Sequence, residues 1–176
     1  LMKSIRRLYD WMLHWVETPY GPLVLFALAF FESFIFPIPP DALLIALVLG
    51  ARTQAFKLAL NSSIGSVLGA LVGYGIGHIL WWNSPNEFSS LAMFFFNNVP
   101  GFTTELFSNV KVLYEEWDFW IIFTAGFTPI PYKVFTVSSG AFDINIVMFI
   151  IASLISRSAR FFLVAFLIWK FGEQIK

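Results

Sequence analysis

Phe36-Pro37-Ile38-Pro39-Pro40-Asp41 interrupts an apolar stretch that otherwise runs from Pro22 to Leu49, and Pro129-Ile130-Pro131-Tyr132-Lys133 interrupts a second, Phe119 to Phe142. The two breaks repeat one pattern. Each is Pro-Ile-Pro followed two residues later by a charge, Asp41 in the first and Lys133 in the second. Proline has no N–H to give a helix and disfavours helix in the residue before it. Each stretch therefore reads as two half-helices joined by a hairpin turn, at Pro37, Pro39 and Pro40 in one and at Pro129 and Pro131 in the other. A bilayer crossing takes about 20 residues. The flanks Pro22 to Phe36 and Ala42 to Leu49 are both shorter. Backbone without helical partners is tolerated at membrane depth only where it is buried in protein or lines a water-filled cavity.

Each broken stretch is followed by a continuous one, Leu58 to Trp82 and Ile144 to Trp169. Two matching interruptions point to an inverted-repeat transporter site. The expected fold is an all-α integral membrane protein, an inverted repeat of two proline-broken re-entrant hairpins, each followed by a transmembrane helix. It is one membrane domain over 1–176: an interfacial helix at 1–21, a first repeat at 22–82, an acidic connecting segment at 83–118 and a second repeat at 119–170.

Composition agrees. Of 176 residues, 58% are hydrophobic and 12% charged, against roughly 45 to 50% apolar and 25% charged in ordinary soluble domains. That excludes a soluble globular body and a disordered one. Zero net charge gives no footprint for nucleic acid, and the lack of cysteine excludes disulfides and thiolate metal sites. No cofactor or metal is expected.

At the amino end Ile5, Leu8, Met12, Trp15 and Val16 fall on one helical face and Lys3, Arg6, Arg7, Asp10, His14 and Glu17 on the other, the pattern of a helix lying in the headgroup layer. Gly65, Gly69, Gly73 and Gly77 recur every four residues, stripping one helix side of Cβ atoms so that another backbone can approach; helix packing is the expected role. Trp81 and Trp82 would mark that helix's interfacial end, and Phe88 to Phe96, too short to span, would lie against the interface.

Basic residues test the topology. If both broken segments are re-entrant, Lys3, Arg6, Arg7, Arg52, Lys57, Lys170 and Lys176 share a side, and Lys111 stands among acids on the other. If both span, the loop with Arg52 and Lys57 moves outside. The positive-inside rule favours the re-entrant arrangement, with both termini cytoplasmic in a multi-pass protein.

Arg157 and Arg160 fall near the middle of the last apolar stretch, where an arginine costs about 2.5 to 3.5 kcal/mol. Three apart, they share a helix face, with Ser153 and Ser156 beside them. Glu32, Asp41, Lys133 and His78 complete the ionisable groups expected at depth. These would build a polar cavity able to hold an anionic lipid headgroup, with Lys133, Arg157 and Arg160 as phosphate-binding candidates and Glu32 and Asp41 as proton-coupling candidates. Structural ion pairs between the arginines and the carboxylates are the plainer alternative. An ion or small-solute transporter would use the same hairpins. An enzyme is disfavoured, since HExxH, GxSxG and Cys/His clusters are all missing. Membrane lipids are the expected partners, and a homo-oligomer is compatible.

With these residues laid out, the chain resembles the DedA family, bacterial relatives of the VTT domain, over roughly Tyr20 to Gly172. The resemblance rests on Glu32 followed by Phe36 to Asp41, on Gly65 to Gly77 with Tyr74, on Gly126 to Lys133, and on Ser156-Arg157 with Arg160-Phe161. It implies two opposed re-entrant hairpins, movement of lipids such as undecaprenyl phosphate or phospholipids between leaflets, dependence on the proton-motive force, and a bacterial inner membrane. The family's acidic residues near the first hairpin map to Glu32 and Asp41. The sequence departs at the second hairpin, where longer members carry two arginines: Gly126 stands at the first place, and Lys133 lies one residue out of step with the second. Substrate identity is therefore not carried over.

Overall fold

The computed structural model describes residues 6–7, 10–11, 14–128 and 130–175. Ile5, Leu8 and Met12, which carry the expected apolar face of the amino-terminal helix, lie outside the described residues, as do Lys3, Pro129 and Lys176. Residues 14–16 are helical.

Helix α1 (Gly21–Glu32) opens with proline in its first turn, where the missing N–H costs nothing. Past Glu32 the N–H groups of Ile35 and Phe36 both reach back to the Phe31 carbonyl, and the prolines then prevent any further helical bond. Helix α2 (Asp41–Gly50) restarts directly after Pro40, with Asp41 in its first turn. A short 3-10 turn (Arg52–Gln54) leads into the long helix α3 (Ala55–Leu80). A two-stranded ribbon follows, β1 (Trp82–Ser84) antiparallel to β2 (Glu87–Phe88). Helices α4 (Ser90–Asn98) and α5 (Thr104–Trp117) are each capped by a hydroxyl, Ser89 accepting from the Ala92 N–H and Thr103 from the Leu106 N–H, both at 3.1 Å. Helices α6 (Phe119–Phe127), α7 (Tyr132–Ala141) and α8 (Ile146–Ile175) complete the chain.

The halves are built alike, and their limbs are exchanged. Helix α1 packs on α3 and α6 on α8, each on the long helix of its own half. Helix α7 packs on α3, and α2 chiefly on α8, each on the long helix of the other half. The glycine positions fix the register. Asn61 donates to the Pro22 carbonyl at 2.6 Å, and a Cβ at Gly65, Gly69 or Gly73 would meet Phe26, Phe30 or Phe34 in turn. So α1 and α3 run side by side in the same direction. Helix α8 runs antiparallel to α3, since Tyr74 packs on Phe149, Ser66 bonds Arg157, and Phe56 stacks on Phe162.

Gly21, at the start of α1, faces Leu47 near the end of α2, so the first hairpin is open at the end that holds the start of α3 and the end of α8. Asp118 and Phe142 border one surface depression, so the second hairpin opens at the opposite end. The amino-terminal segment, the 3-10 turn and the carboxyl end lie together: Val16 faces Gly50, and Arg52 bonds the Trp169 carbonyl.

Helices α3 and α8 are long and apolar enough to cross a membrane, and only 44% and 33% of their apolar windows are buried. A soluble core helix would be mostly covered. Leu60, Ile64, Leu68 and Val72 instead form an exposed apolar stripe on α3, about 100° around the helix from Gly65, Gly69 and Gly73.

Some expectations need correction. Trp81 does not mark an interface. It is fully buried among Phe95, Phe96, Phe102 and Phe107, because the connecting segment folds back over the end of α3. The segment Phe88 to Phe96 belongs to this cluster through Phe88, Phe95 and Phe96, and its exposed large side chains are Met93 and Phe94. The His78 ring is 53% exposed, with Nδ1 2.6 Å from an Asp143 carboxylate oxygen, tying the end of α3 to the turn after α7.

Candidate functional site

The two hairpin tips meet. Glu32, Phe36, Pro37, Pro39 and Asp41 from the first and Ile130, Pro131, Tyr132 and Lys133 from the second line one cavity of about 430 Å³, with Arg160, Pro100 and Gly101 completing it. A proline turn leaves the start of its second helix free to point inward, so both α2 and α7 present their amino-terminal first turns here, neither capped by a side chain.

The charges are distributed unevenly. Arg160 forks onto Asp41, its Nε 3.2 Å from one carboxylate oxygen and an Nη on the other, while its second Nη donates to the Thr128 carbonyl at 2.9 Å. Arg157 is 1% exposed and does not line the cavity. One Nη donates to Glu32 at 2.5 Å, and Nε donates to Ser66 Oγ at 2.6 Å. Its guanidinium lies between the rings of Tyr132 and Phe161, 4.7 and 4.9 Å from their centroids. The other Nη is buried without a hydrogen-bond partner among the described residues.

Lys133 is the contrast. It is 5% exposed and lines the cavity, and among the described residues it makes no salt bridge. Burying an ammonium is expensive unless it is paired. The carboxylate that acts on it is Glu32 across the cavity, already held by Arg157, and the first turn of α7 carries no acid.

The five charged residues singled out in the sequence are thus brought together, but in two roles: Arg157 and Arg160 hold Glu32 and Asp41, and Lys133 faces the cavity without a salt bridge among the described residues. Sequence reasoning missed the hydroxyls that organise the site. Ser33 Oγ donates to the Ala29 carbonyl at 2.9 Å and lies 2.8 Å from Ser66 Oγ, and Thr136 Oγ1 donates to the Ser33 carbonyl at 2.7 Å. Ser66 sits next to Gly65 on the glycine-rich helix, which was the one available signal. No cluster of side chains suited to a metal occurs among the described residues.

A family model for the VTT domain matches residues 36–170. The chain belongs to the VTT-domain family. An uncharacterized protein of Haemophilus influenzae is 34% identical over 175 residues, covering 98% of this chain and 85% of its own length. One of Histophilus somni is 32% identical, covering 94% of this chain and 82% of its own. No solved structure matches. The VTT assignment and the two largely uncovered apolar helices make this a membrane protein.

The VTT match begins at Phe36, so Glu32 lies outside it although its partner Arg157 lies inside. This VTT chain also has a physical reason for Gly126. A Cβ there would overlap Ser156 Oγ on α8 and press on its Cβ, so a larger side chain requires at least that the serine hydroxyl turn away.

Proposed function

We propose that this protein carries a phosphate-bearing lipid, undecaprenyl phosphate or a phospholipid, between membrane leaflets through the cavity at the hairpin tips. The hairpins act as re-entrant loops. At 1.5 Å per residue the 12 and 10 residues of α1 and α2 extend only about 18 and 15 Å, against a hydrocarbon core of about 30 Å. The basic end, with Arg6, Arg7, Arg52, Lys57 and Lys170, faces the cytoplasm. The end bearing Glu87, Glu105, Glu115, Glu116, Asp118 and Asp143 faces away.

The observation that carries this reading is Lys133, a buried lysine at the start of α7 that lines the cavity at the hairpin tips without a salt bridge among the described residues, the Glu32 carboxylate beside it being already held by Arg157. A phosphate there would receive the ammonium and the positive end of the α7 dipole together. The cavity's rim favours an amphiphile over a bare ion. Phe36 and Ile130 are 43% and 40% exposed, so acyl or isoprenoid chains can remain in lipid while the headgroup enters. Protonation of Glu32 would release Arg157 toward the headgroup, which couples the movement to a proton gradient.

Leaflet exchange of fluorescent phosphatidylglycerol and of undecaprenyl phosphate, assayed separately in liposomes, tests this. Lys133→Gln should lose at least tenfold in exchange with an unchanged melting temperature, and Lys133→Arg should keep most of it. If folded wild-type protein exchanges neither lipid but passes small ions, the solute-transporter reading replaces this one.

A further inference from the structure

We infer that the moving boundary of this carrier cuts each hairpin between its two limbs, so that α1, α3 and α7 form one rigid body and α2, α6 and α8 the other. The inference rests on the transport reading above and says which parts move. The sequence repeats suggest a different division, 22–82 against 119–170, in which each hairpin travels whole with its own long helix.

The argument is about what kind of atoms meet. Where glycine lets two backbones touch, there is no rotamer to rearrange, and a small slide produces overlap. Helix α3 meets both of its body partners this way. A Cβ on Gly65 or Gly69 would run into the Phe26 or Phe30 carbonyl of α1, one on Gly77 into the Val137 carbonyl of α7, and one on Gly140 of α7 into the Tyr74 carbonyl of α3. The Thr136 bond to the Ser33 carbonyl ties α7 to the end of α1 as well.

The second body is held by its own contacts. Gly126 of α6 abuts Ser156 of α8, Gly172 of α8 abuts Leu49 of α2, and Arg160 grips Asp41.

Between the bodies the backbone contacts that lock the first body do not recur, and the glycines at the boundary, Gly21 and Gly126, meet the side chains of Leu47 and Tyr132 across it. No described glycine brings the α3 and α8 backbones together. Their interface is made by Tyr74 on Phe149, Phe56 on Phe162, and Ser66 with Arg157. Side chains that can change rotamer are what a shear motion slides across. The chain then crosses between the bodies at the proline turns, 33–40 and 128–131, and at the connections 51–54 and 142–145, and the cavity lies on the boundary. Glu32 and Lys133 come from the first body, Asp41 and Arg160 from the second. The Glu32–Arg157 pair is the ionic link that spans it.

The chain has no cysteine, so pairs can be introduced cleanly. Asp118→Cys/Asp143→Cys joins the two limbs of the second hairpin at its open end. His78→Cys/Asp143→Cys joins α7 to α3. All three positions are exposed, and the two pairs share one substitution. With a reversible bifunctional thiol reagent, the first cross-link should cut leaflet exchange of phosphatidylglycerol at least tenfold, restored by reduction, and the second should leave it within twofold.

Spin labels at the same pairs, in phosphatidylglycerol liposomes with and without undecaprenyl phosphate, give a readout independent of transport. The 118/143 separation should show two values and the 78/143 separation one. The reverse pattern overturns the inference in favour of whole-repeat motion, and single separations at both pairs overturn it outright. The expected spin-label pattern in a protein that exchanges no lipid would sink the transport reading and leave the division into bodies standing.

Discussion

The first and second hairpins have the same Pro-Ile-Pro turn and mirrored packing, yet opposite charge at the matching place. Asp41 sits in the first turn of α2, where a carboxylate is stabilised by the positive end of the helix, and Arg160 binds it from outside. Lys133 sits in the first turn of α7, where the helix end repels a cation, and no acid is paired with it among the described residues. Hairpin one brings its own anion. Hairpin two lacks one. The backbone is symmetric and the charge antisymmetric, and that difference is what the proposed anion-binding role of the cavity rests on.

The comparison is most sharply broken at Arg157, which serves hairpin one by holding Glu32 while stacking on Tyr132 of hairpin two. Truncating one partner of a buried pair leaves the other charge uncompensated, at about 3 to 5 kcal/mol. Arg157→Leu should therefore cause the largest fall in melting temperature, measured in detergent, of any single substitution at the hairpins. Adding Glu32→Gln to it should recover part of the loss, because the orphaned carboxylate is gone. Arg157→Leu melting like wild type would mean that Glu32 is satisfied elsewhere and that the two hairpins are not joined through this arginine.

A smaller effect is expected where hairpin two meets α3. Gly140→Ala places a Cβ on the Tyr74 carbonyl and near the His78 N–H. Both are backbone atoms of a continuous helix, so nothing can rotate away and the helices must separate, at about 1 to 3 kcal/mol as for other overpacked sites. Thermal melting with an unshifted midpoint would show that α7 can move off α3, which the division into rigid bodies forbids.

Much of this was legible in the sequence, and the limits follow the range of each interaction. The proline turns and the long spans are local consequences of missing N–H groups and apolar length, and they appear within a few residues at Glu32–Asp41, Ala55–Leu80 and Ile146–Ile175. The charged residues of the site were legible too, because a charge inside or beside an apolar stretch is costly and stands out. Their pairing was not: Asp41 with Arg160 and Glu32 with Arg157 depend on which long helix each limb packs against, and the limbs are exchanged between halves. Trp81 was misread for a related reason. The acidic residues of 83–118 drew attention from Phe95, Phe102, Phe107 and Tyr114, which are buried and carry that segment back onto the core. The partner of His78 was not legible either, because Asp143 lies at a positive φ of 52°, in a turn that the apolar pattern did not mark.

The smallest expected effect has the opposite sign and separates glycines that a sequence count merges. Gly75 lies on α3 between Gly73 and Gly77, but a Cβ there would meet nothing within 4 Å. It is out of register with the stripe that receives α1 and α7. A helical glycine without a packing role costs about 0.5 to 1 kcal/mol relative to alanine through the freedom it gives the unfolded chain. Gly75→Ala should therefore raise the melting temperature slightly and leave leaflet exchange unchanged. A destabilised Gly75→Ala would mean that α3 needs a bare backbone on more than one side, and the close packing that distinguishes α1 and α7 from α2 would no longer explain why only those two limbs are locked to it.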